Sequence, residues 1–499
     1  MSIITIQSNS GKTVNFEEKK FASGGMKDVH WGAGKNYVVA FYRDKQNENS
    51  KERVENIAQL YRERIFEREG GEYWRKVLCW PSDVVEYNGK LGIVCPTYDN
   101  HFFFQYGSVN NDMLGIKGNE KEGKWFASAS NQNRFLDPRE KGDWRSYLRI
   151  GILISRAVKK LHSAGLAHSD LSYKNVLIDP AGGNACIIDI DSLVVPGKYP
   201  PDVVGTPDFI APEVMSTKSL KVGDENKALP NINTDKHALA VLIYMYLLYR
   251  HPLRGDKVHD MDPQKDEELS MGSGALFIEH PKDTSNTKNP ENVKRTALPW
   301  GDPKKMPYTI CGPYLSALFE RAFIDNLHNP MMRPSANEWE IALVKTLDLT
   351  QPCLNKQCNQ KWFVFDNKTN PKCPFCNTPY TKMLPILNLY SAREEGKYKP
   401  DNHRIMVYHN QYLYKWHVDR TVFPNERISE ADKRPLGYFV FHNNEWKLVN
   451  QNIPELKDVK SEETIPIGGH VVLTDGLQLT FTKSITGRLA AIQMVNGTD

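Results

Sequence analysis

The sequence predicts an α+β protein of several domains, and three observations support this prediction. The chain has 499 residues, more than a single hydrophobic core usually organises. Short strand patterns and one helix occupy roughly the first hundred residues, whereas apolar helices dominate between residues 144 and 346. Two close pairs of cysteines then precede a tail of short alternating strands. We therefore expect a strand-rich lobe, a helical lobe, a small metal-stabilised module and an all-β domain, in that order.

Composition and charge are those of an ordinary globular protein. Hydrophobic residues make up 40% and charged residues 25%, and the net charge of +4 is small for this length. It favours neither nucleic acid nor a membrane surface as a partner. The start lacks a secretory signal pattern, and the longest apolar run, residues 238–249, is too short to span a bilayer. Four of the eight cysteines form two pairs, which favours metal over disulfides, so we expect a cytoplasmic protein.

Three short motifs follow one another in the middle of the chain. They are residues 168–175 (HSDLSYKN), residues 186–191 (CIIDID) and residues 205–213 (GTPDFIAPE). In this order and spacing they resemble the catalytic loop, the metal-binding loop and the activation-segment end of a eukaryotic-type Ser/Thr protein kinase. The resemblance implies a bilobal protein-kinase fold that uses ATP and Mg²⁺. Its small lobe would occupy residues 1–99, and its large lobe, with insertions, residues 100–349. Residues 100–142 are polar and glycine-rich and are expected to be an insertion after the hinge between the lobes.

The residue types suit phosphoryl transfer, which depends mainly on positioning and on stabilisation of charge. Asp170 would face the attacking hydroxyl, while Asn175 and Asp189 would hold Mg²⁺. Lys174 stands where tyrosine kinases have an arginine that contacts phosphate. The predicted catalytic set is therefore Asp170, Lys174, Asn175 and Asp189. The alternative is that these are turn and cap residues of an ordinary α/β domain. In that case the Ala-Pro-Glu sequence at residues 211–213 would be a coincidence.

The small lobe carries the predicted nucleotide contacts. When residues 21–31 are aligned on Val29 with a kinase phosphate-covering loop, only one of the loop's three glycines is kept. A plain hairpin turn between two strands could have the same sequence. Helix 50–69 is expected to bury one face with Val54, Ile57, Leu60 or Tyr61, and Ile65. It would supply a glutamate to the nucleotide-binding lysine, with Glu63 preferred to Glu55 and Glu67, and residues 95–98 would form the hinge that meets adenine. The predicted nucleotide-binding residues are Gly24, Gly25, Lys27, Val29, Ala40, Glu63, Cys95, Thr97, Tyr98, Asn175 and Asp189.

The usual lysine of the strand that carries Ala40 is replaced by Tyr42. Lys27 stands at the third glycine position of the phosphate loop, and with-no-lysine kinases show the same pair of changes. This resemblance implies that Lys27 binds the phosphates from the neighbouring strand. Arg43 and Lys45 are the rival cations if the strand register differs, and a surface lysine in a hairpin is the plainer alternative.

Other positions both support the kinase resemblance and depart from it. Asp235, at the start of the apolar helix, would hold the backbone of the catalytic loop or act as a helix N-cap, and Arg333 would pair with Glu213. Ser169 stands in place of an arginine that senses activation-loop phosphate, so such phosphorylation is not expected to be needed. Asp191 replaces a glycine of the metal loop and adds a charge near the metal.

Two cysteine pairs follow the kinase-like region. Cys353 and Cys358 are separated by fourteen residues from Cys373 and Cys376. Such pairs suit tetrahedral Zn²⁺, and a module this short needs a metal for stability. We therefore predict a zinc ribbon at residues 350–381, against the alternative of four unrelated buried cysteines. Its modest basic character favours a structural or protein-binding role over nucleic acid.

Residues 382–499 predict an all-β sandwich. Its short alternating strands are expected at residues 404–408, 412–416, 437–442, 445–450, 470–474, 477–482 and 489–495, with turns at Asn443-Asn444 and Asp475-Gly476. The patterns at 446–450 and 465–473 resemble the second half of a forkhead-associated domain. The residues with which that family binds phosphothreonine are not found here. We therefore predict a protein-interaction domain.

The order of kinase, four-cysteine module and β-rich tail resembles the bacterial kinase associated with tellurite-resistance von Willebrand-type proteins. The resemblance implies a protein substrate, with a von Willebrand-type protein and a metal-dependent phosphatase as partners in a bacterial signalling or stress-response system. An active Ser/Thr kinase is the first hypothesis. A pseudokinase scaffold is the second, although a scaffold need not keep Asp170, Asn175 and Asp189 together. A nucleic-acid adaptor built on the zinc ribbon is the third.

Overall fold

The computed structural model describes residues 2–23, 26–67, 70–199, 205–221, 223–365, 371–394 and 396–495. The chain divides into two compact units. The first comprises residues 1–142, 149–308 and 317–340, and the second comprises residues 143–148, 309–316 and 341–499. None of the helices in the described part of the chain has the length and hydropathy that crossing a bilayer requires.

The small lobe of the first unit is built on an antiparallel sheet with the strand order β3-β4-β5-β7-β6. The strands of the small lobe are β1 (Ile3–Gln7), β2 (Thr13–Glu17), β3 (Ala22–Ser23), β4 (Lys27–Trp31), β5 (Tyr37–Tyr42), β6 (Asp83–Tyr87) and β7 (Lys90–Pro96), of which β1 and β2 form a separate hairpin. Its helices are α1 (Glu48–Asn56), α2 (Arg62–Phe66) and α3 (Gly71–Val77). A π-helical turn, Ile57–Tyr61, joins α1 to α2, so the predicted single helix is interrupted.

Side chains alternate between the two faces of this sheet, as the strand geometry requires. On one face Phe16, Val39 and Phe41 belong to a cluster that includes side chains of the β1–β2 hairpin. On the other face Ala40 belongs to a cluster with Val54 of α1. The hairpin therefore packs on the face opposite the helix.

The large lobe is mainly helical. Its helices are α4 (Val109–Asp112), α5 (Ala129–Arg134), α6 (Trp144–Ser163), α7 (Pro212–Ser216), α8 (Ile232–Leu248), α9 (Pro263–Met271), α10 (Pro313–Glu320) and α11 (Ala336–Asp348). A hairpin of β8 (Val176–Asp179) and β9 (Asn184–Ile187) separates the catalytic and metal loops. Helix α8 is buried along most of its length, as its apolar sequence predicts.

The predicted insertion after the hinge, residues 100–142, is folded onto the large lobe. Lys121 lies in it and is almost fully buried, and its Nζ lies 3.0 Å from a carboxylate oxygen of Glu140 and 3.0 Å from one of Asp179. Asp179 ends β8, and the Lys121 carbonyl also accepts a hydrogen bond from Ile178 N. One buried cation therefore joins the insertion to the hairpin that precedes the metal loop.

The second unit contains a short hairpin and two larger antiparallel sheets, ordered β13-β12-β20-β19-β17 and β14-β15-β16-β18. The strands are β10 (Thr350–Pro352), β11 (Trp362–Val364), β12 (Leu384–Ala392), β13 (Tyr398–Met406), β14 (Tyr412–Leu413), β15 (Gly437–His442), β16 (Glu445–Asn450), β17 (Lys457–Asp458), β18 (His470–Val472), β19 (Gln478–Thr480) and β20 (Arg488–Val495), with α12 (Lys415–Val418) between β14 and β15. One hydrophobic core includes side chains of both sheets and of the four-cysteine region.

The tail differs from the sequence prediction in several places, among them the short strand β17 and the earlier start of β13, which were not predicted. Strand β12 is missing from the predicted set, yet it pairs with both β13 and β20. The strand predicted at residues 412–416 ends at Leu413, because the backbone N–H of Tyr414 is capped by His417 Nδ1 at 3.2 Å and the chain turns into α12. Two antiparallel sheets are present, whereas the forkhead-associated topology stays a prediction.

Replacing Lys121 by methionine is expected to destabilise the first unit by about 3–5 kcal/mol, because it leaves two buried carboxylates without their cation. Urea denaturation of the full chain measures the change. Lys124→Met is the matched control, since its ion pair with Glu122 is partly exposed and is worth about 1 kcal/mol at most. Equal stability of the two variants would contradict the anchoring role of Lys121.

Candidate active site

The carboxylate of Asp170 is held by two neighbouring segments. Asn175 Nδ2 donates to the Asp170 backbone oxygen at 2.8 Å and to its Oδ2 at 2.9 Å. The backbone N–H of Thr206, in the activation-segment end, donates to Asp170 Oδ1 at 2.6 Å. Thr206 thus contacts the predicted catalytic aspartate through its backbone, while its hydroxyl donates to Ser172. The side chain of Asp170 is fixed in orientation before any substrate binds.

A buried carboxylate supports the backbone of the same loop. Asp235 accepts from the backbone N–H of His168 at 2.7 Å and of Ser169 at 3.2 Å, which confirms its predicted role. His168 in turn makes a hydrogen bond through Nε2 to the carbonyl of Ile188, just before the metal loop. Ser169 has a φ of 63°, in the left-handed region that a non-glycine residue adopts only with support.

The metal loop begins at Asp189, which also has a left-handed backbone with φ 61°. Its side chain is 38% exposed. The backbone N–H of Ile188 donates to the Asn175 carbonyl at 3.0 Å, so the residue before Asp189 is tied to Asn175. Carboxylate and amide oxygens are hard ligands of the kind Mg²⁺ prefers, and the two predicted ligands therefore fit this metal.

Lys27 lies at the start of β4, directly across the ladder from Tyr42 of β5. Its Nζ is 2.8 Å from Asp189 Oδ1 and 2.6 Å from Asp191 Oδ2. The Tyr42 hydroxyl donates to the same oxygen of Asp191. The residue at the third glycine position and the residue that replaces the strand lysine thus meet at the metal loop.

These contacts fix the charge states of the group. Burial alone would lower the pKa of Lys27, but the carboxylates of Asp191 and Asp189 outweigh it and hold this pKa well above its ordinary value. Burial would raise the pKa of Asp189, but Lys27 outweighs it and lowers that pKa. Burial, reinforced by Asp191, raises the pKa of Tyr42. Lys27 is therefore a cation and Tyr42 a neutral donor at neutral pH.

The apolar residues predicted to face the nucleotide share one face of the small-lobe sheet. Val29 pairs with Ala40, and both belong with Cys95 to the cluster that packs against α1. Thr97 donates to the Asn36 carbonyl at 3.4 Å, and Tyr98 packs against a separate cluster around Leu177. Two lobes therefore contribute apolar side chains on either side of the predicted hinge.

The structure does not bring the remaining predicted residues to this group. Glu63 and Glu67 are exposed, and Glu55 accepts from Asn9, so Lys27 has aspartates and not a glutamate as its partners among the described residues. Arg43 is largely exposed and pairs with Asp28, and Lys45 is exposed. The side chain of Lys174 is exposed next to Asn175. The predicted contacts of Gly24 and Gly25 lie outside the described residues.

The Ala-Pro-Glu end is tied to the large lobe by a second buried cation. Arg333, 1% exposed, donates to both carboxylate oxygens of Glu213, at 2.9 and 2.7 Å. It also donates to the carbonyls of Asn233 and Leu327. This confirms the predicted pair, and the bidentate geometry is the strong form of such a contact.

The four paired cysteines of the second unit converge as predicted. Their Sγ atoms all lie within 4.8 Å of one another, with 3.5 Å between Cys353 and Cys376 and 3.9 Å between Cys358 and Cys373. Four sulfurs around a zinc ion with bonds of about 2.3 Å are separated by about 3.8 Å. The cluster therefore fits tetrahedral Zn²⁺.

Comparison with known proteins defines the class first. Residues 129–360 match the protein kinase domain family. The matched part contains the catalytic loop, the metal loop and the Ala-Pro-Glu end, whereas the small lobe with its displaced lysine lies outside it. This part of the chain is therefore similar to a protein kinase domain, and together with the serine/threonine-protein kinases among the partial matches it supports the predicted enzyme class.

Particular relatives match only parts of the chain. It is 34% identical over 103 residues to Death-associated protein kinase dapk-1 of Caenorhabditis elegans, which covers 20% of this chain and 6% of that protein. It is 27% identical over 176 residues to Serine/threonine-protein kinase dkf-1 of the same organism, covering 34% and 20% respectively. The chain thus spans a fifth or less of these relatives. The rhoptry antigen kinase domain of Toxoplasma gondii aligns over 69% of this chain and 86% of its own, with a TM-score of 0.39 and 12% identity.

Sequence reasoning missed the contacts that Tyr42 and Asp191 make. Tyr42 was treated as the absence of a lysine and Asp191 as an added charge, yet the two side chains bind each other and Lys27. The available signal was the ladder position of Tyr42 opposite Lys27. Lys121 was missed as well, because a buried lysine in a polar insertion has no sequence pattern of its own.

The purified protein is expected to contain one zinc ion per chain, since four thiolates at these distances leave no open ligand position. Cys373→Ser should release the metal and lower the unfolding temperature of the second unit, because the cysteines belong to its core. Elemental analysis and thermal unfolding measure both effects. Cys311→Ser, a buried cysteine outside the cluster, should keep the zinc. Freshly purified protein without metal would end the assignment.

Proposed function

We propose that the protein is an ATP-dependent serine/threonine protein kinase that transfers the γ-phosphoryl group to hydroxyls of a protein substrate. One observation carries the proposal. The carboxylate of Asp170 is oriented by Asn175 and Thr206, and the side chain of Asp189 in the metal loop is partly exposed. Phosphoryl transfer requires an oriented carboxylate for the attacking hydroxyl and an accessible carboxylate for the metal, whereas a purely structural loop requires neither.

Each residue has a distinct task in the proposed reaction. Asp170 orients the substrate hydroxyl and accepts its proton as the new oxygen–phosphorus bond forms, while the bond from the γ-phosphorus to the bridging oxygen breaks and ADP leaves. Asn175 and Asp189 would hold Mg²⁺, which when bound neutralises charge on the β- and γ-phosphates. Lys27 presents a fixed positive charge at the edge of the same loop. Lys174, exposed beside the catalytic loop, can contact the transferring phosphoryl group.

The finer parts of the proposal rest on the order of the domains along the chain. A kinase region followed by a four-cysteine module and a β-rich tail supports a place in a bacterial signalling or stress-response system of the tellurite-resistance type. We propose a von Willebrand-type protein and a cognate metal-dependent phosphatase as partners. The zinc-bearing module and the tail, at residues 350–381 and 382–499, are proposed to be structural and to bind proteins. The cytoplasm is the proposed location.

A nucleotide-binding pseudokinase is the second candidate, and one observation favours it. Lys27 is engaged by both aspartates of the metal loop, and Tyr42 occupies the position where kinases have their lysine. A scaffold of this kind would bind ATP and partner proteins without turnover. Phosphate transfer and nucleotide binding, measured on the same preparations, separate the two candidates.

Asp170→Ala and Asp189→Asn are each expected to lower phosphate transfer by at least about a hundredfold, since they remove the proton acceptor and a metal ligand. Transfer of radiolabelled phosphate from ATP with Mg²⁺ to a general protein substrate or to the chain itself measures the loss. Circular dichroism checks that the fold is kept. Wild-type protein that binds ATP but transfers no phosphate would establish the pseudokinase.

Lys27→Met should cost at least ~2 kcal/mol in the transition state, or more than tenfold in rate, if Lys27 contacts the phosphates. Arg43→Met and Lys45→Met serve as matched controls, because both cations are exposed and Arg43 pairs with Asp28 of β4. They should transfer phosphate at the wild-type rate. An active Lys27→Met beside an inactive Arg43→Met or Lys45→Met would refute the displaced lysine.

A further inference from the structure

The two aspartates of the metal loop lie in opposite environments. The side chain of Asp189 is 38% exposed, whereas that of Asp191 is 3% exposed. Asp191 Oδ2 accepts from Lys27 Nζ and from the Tyr42 hydroxyl. A carboxylate with such low exposure and one oxygen already shared by two donors is poorly placed to bind a metal ion as well. Of the two aspartates, Asp189 is therefore the better placed to bind a metal ion.

The sheet explains why both donors reach one oxygen. Lys27 and Tyr42 are direct partners on adjacent antiparallel strands, so their side chains project from the same face. The Lys27 ammonium also lies 5.3 Å from the centre of the Tyr42 ring, within range of a cation–π contact. A tyrosine hydroxyl can donate to a buried carboxylate without adding a second positive charge.

The small-lobe helix contributes no acidic partner to this group within the described residues. Its π turn, Ile57–Tyr61, lies next to the turn at Ile190–Ser192 in the metal loop, and Ile57 and Ala58 of the π turn are buried. Glu63, on the next turn, is exposed. The position of Lys27 is thus set by the sheet and the metal loop rather than by a glutamate of the helix.

We propose that Asp191, held by Tyr42, is the positioning residue for Lys27 and takes the part expected of the helix glutamate. Asp189 is then left to bind Mg²⁺. If Asp189 held Mg²⁺, Lys27 would keep Asp191 as its carboxylate partner and would stay at the metal loop. The consequence for catalysis rests on the proposed kinase function, whereas the anchoring of Lys27 does not.

The anchoring is tested by the reactivity of Lys27 toward acetic anhydride, followed by mass spectrometry of the full-length protein. Lys27 is 15% exposed and its ammonium is held by two carboxylates, so it should be protected in the wild type. Asp191→Asn should speed its acetylation by about fivefold or more, because the side chain loses one of the two contacts that hold it away from the reagent. Tyr42→Phe should give a smaller increase, since both carboxylates remain. Asp28→Asn, a charge change on the same strand that faces Lys20 and Arg43, should leave it unchanged.

Kinetics test the positioning role separately. Asp191→Asn should lower kcat/KM for ATP as much as Lys27→Met does, and the double variant should be no worse than either single one, because both changes remove one interaction. Added Mg²⁺ should partly restore Asp189→Asn and should not restore Asp191→Asn. Restoration of Asp191→Asn by Mg²⁺ would make Asp191 a metal ligand and overturn the inference.

The outcomes separate this inference from the proposed function. Unchanged acetylation of Lys27 in both Asp191→Asn and Tyr42→Phe would refute the anchoring, as would a larger increase in Glu63→Gln than in Asp191→Asn. A wild-type protein that transfers no phosphate, but whose Lys27 responds to Asp191→Asn as expected, would refute the kinase activity and leave the anchoring intact.

Discussion

A buried charge is costly unless a partner of opposite sign or several hydrogen bonds compensate it, and this constraint governs the first unit. Separate segments meet at compensated buried ions. Lys121 joins the insertion to the β8–β9 hairpin, and Asp235 joins the catalytic loop to α8. Arg333 ties the activation-segment end to the large lobe, and Asp191 ties the metal loop to the small-lobe sheet. Removing one partner of such a pair leaves a buried charge uncompensated and destabilises the contact between the two segments.

These junctions also account for the backbone of the site. Ser169 and Asp189 both have a left-handed backbone, which is unfavourable for residues with a Cβ. Ser169 is held through its N–H by Asp235, and the carbonyl of Asp189 accepts from the Ser192 hydroxyl at 2.7 Å. The strained residues lie beside Asp170 and at the proposed metal ligand. The buried ions thus help to keep reactive side chains in one orientation that the backbone alone would not favour.

The parts of the fold that sequence predicts are those with a local cause. Strands β15 and β16 occur at the predicted residues because alternation and an Asn-Asn turn specify a hairpin locally. The kinase-like motifs are contiguous, so their residues could be named before their geometry was known. Strand β12 was missed because its first residues form an unbroken apolar run, and a strand buried in the middle of a sheet need not alternate. Its pairing depends on β20, about a hundred residues away.

The position of the glutamates could not be predicted for a related reason. The sequence predicts a continuous α-helix, but its π turn adds a residue at Ile57–Tyr61 and changes which side chains are buried there. Leu60 is exposed and Tyr61 half-buried, although one of them was expected on the buried face, and Glu63 is exposed, whereas Ile65 is buried as expected. Periodicity cannot reveal such a turn, because its cause lies in packing against the rest of the lobe.

Lys27, Tyr42 and Asp191 each depart from the residue expected at their position in a kinase, and the three changes compensate one another. An aspartate in place of the metal-loop glycine would by itself bury an unpaired charge, which costs several kcal/mol. Lys27 on β4 supplies the opposite charge, and Tyr42 on β5 supplies a hydroxyl without a second cation. A lysine at position 42 would instead crowd two ammonium groups at one carboxylate oxygen. The displaced lysine, the tyrosine and the extra aspartate therefore make physical sense as a set, and none of them does alone.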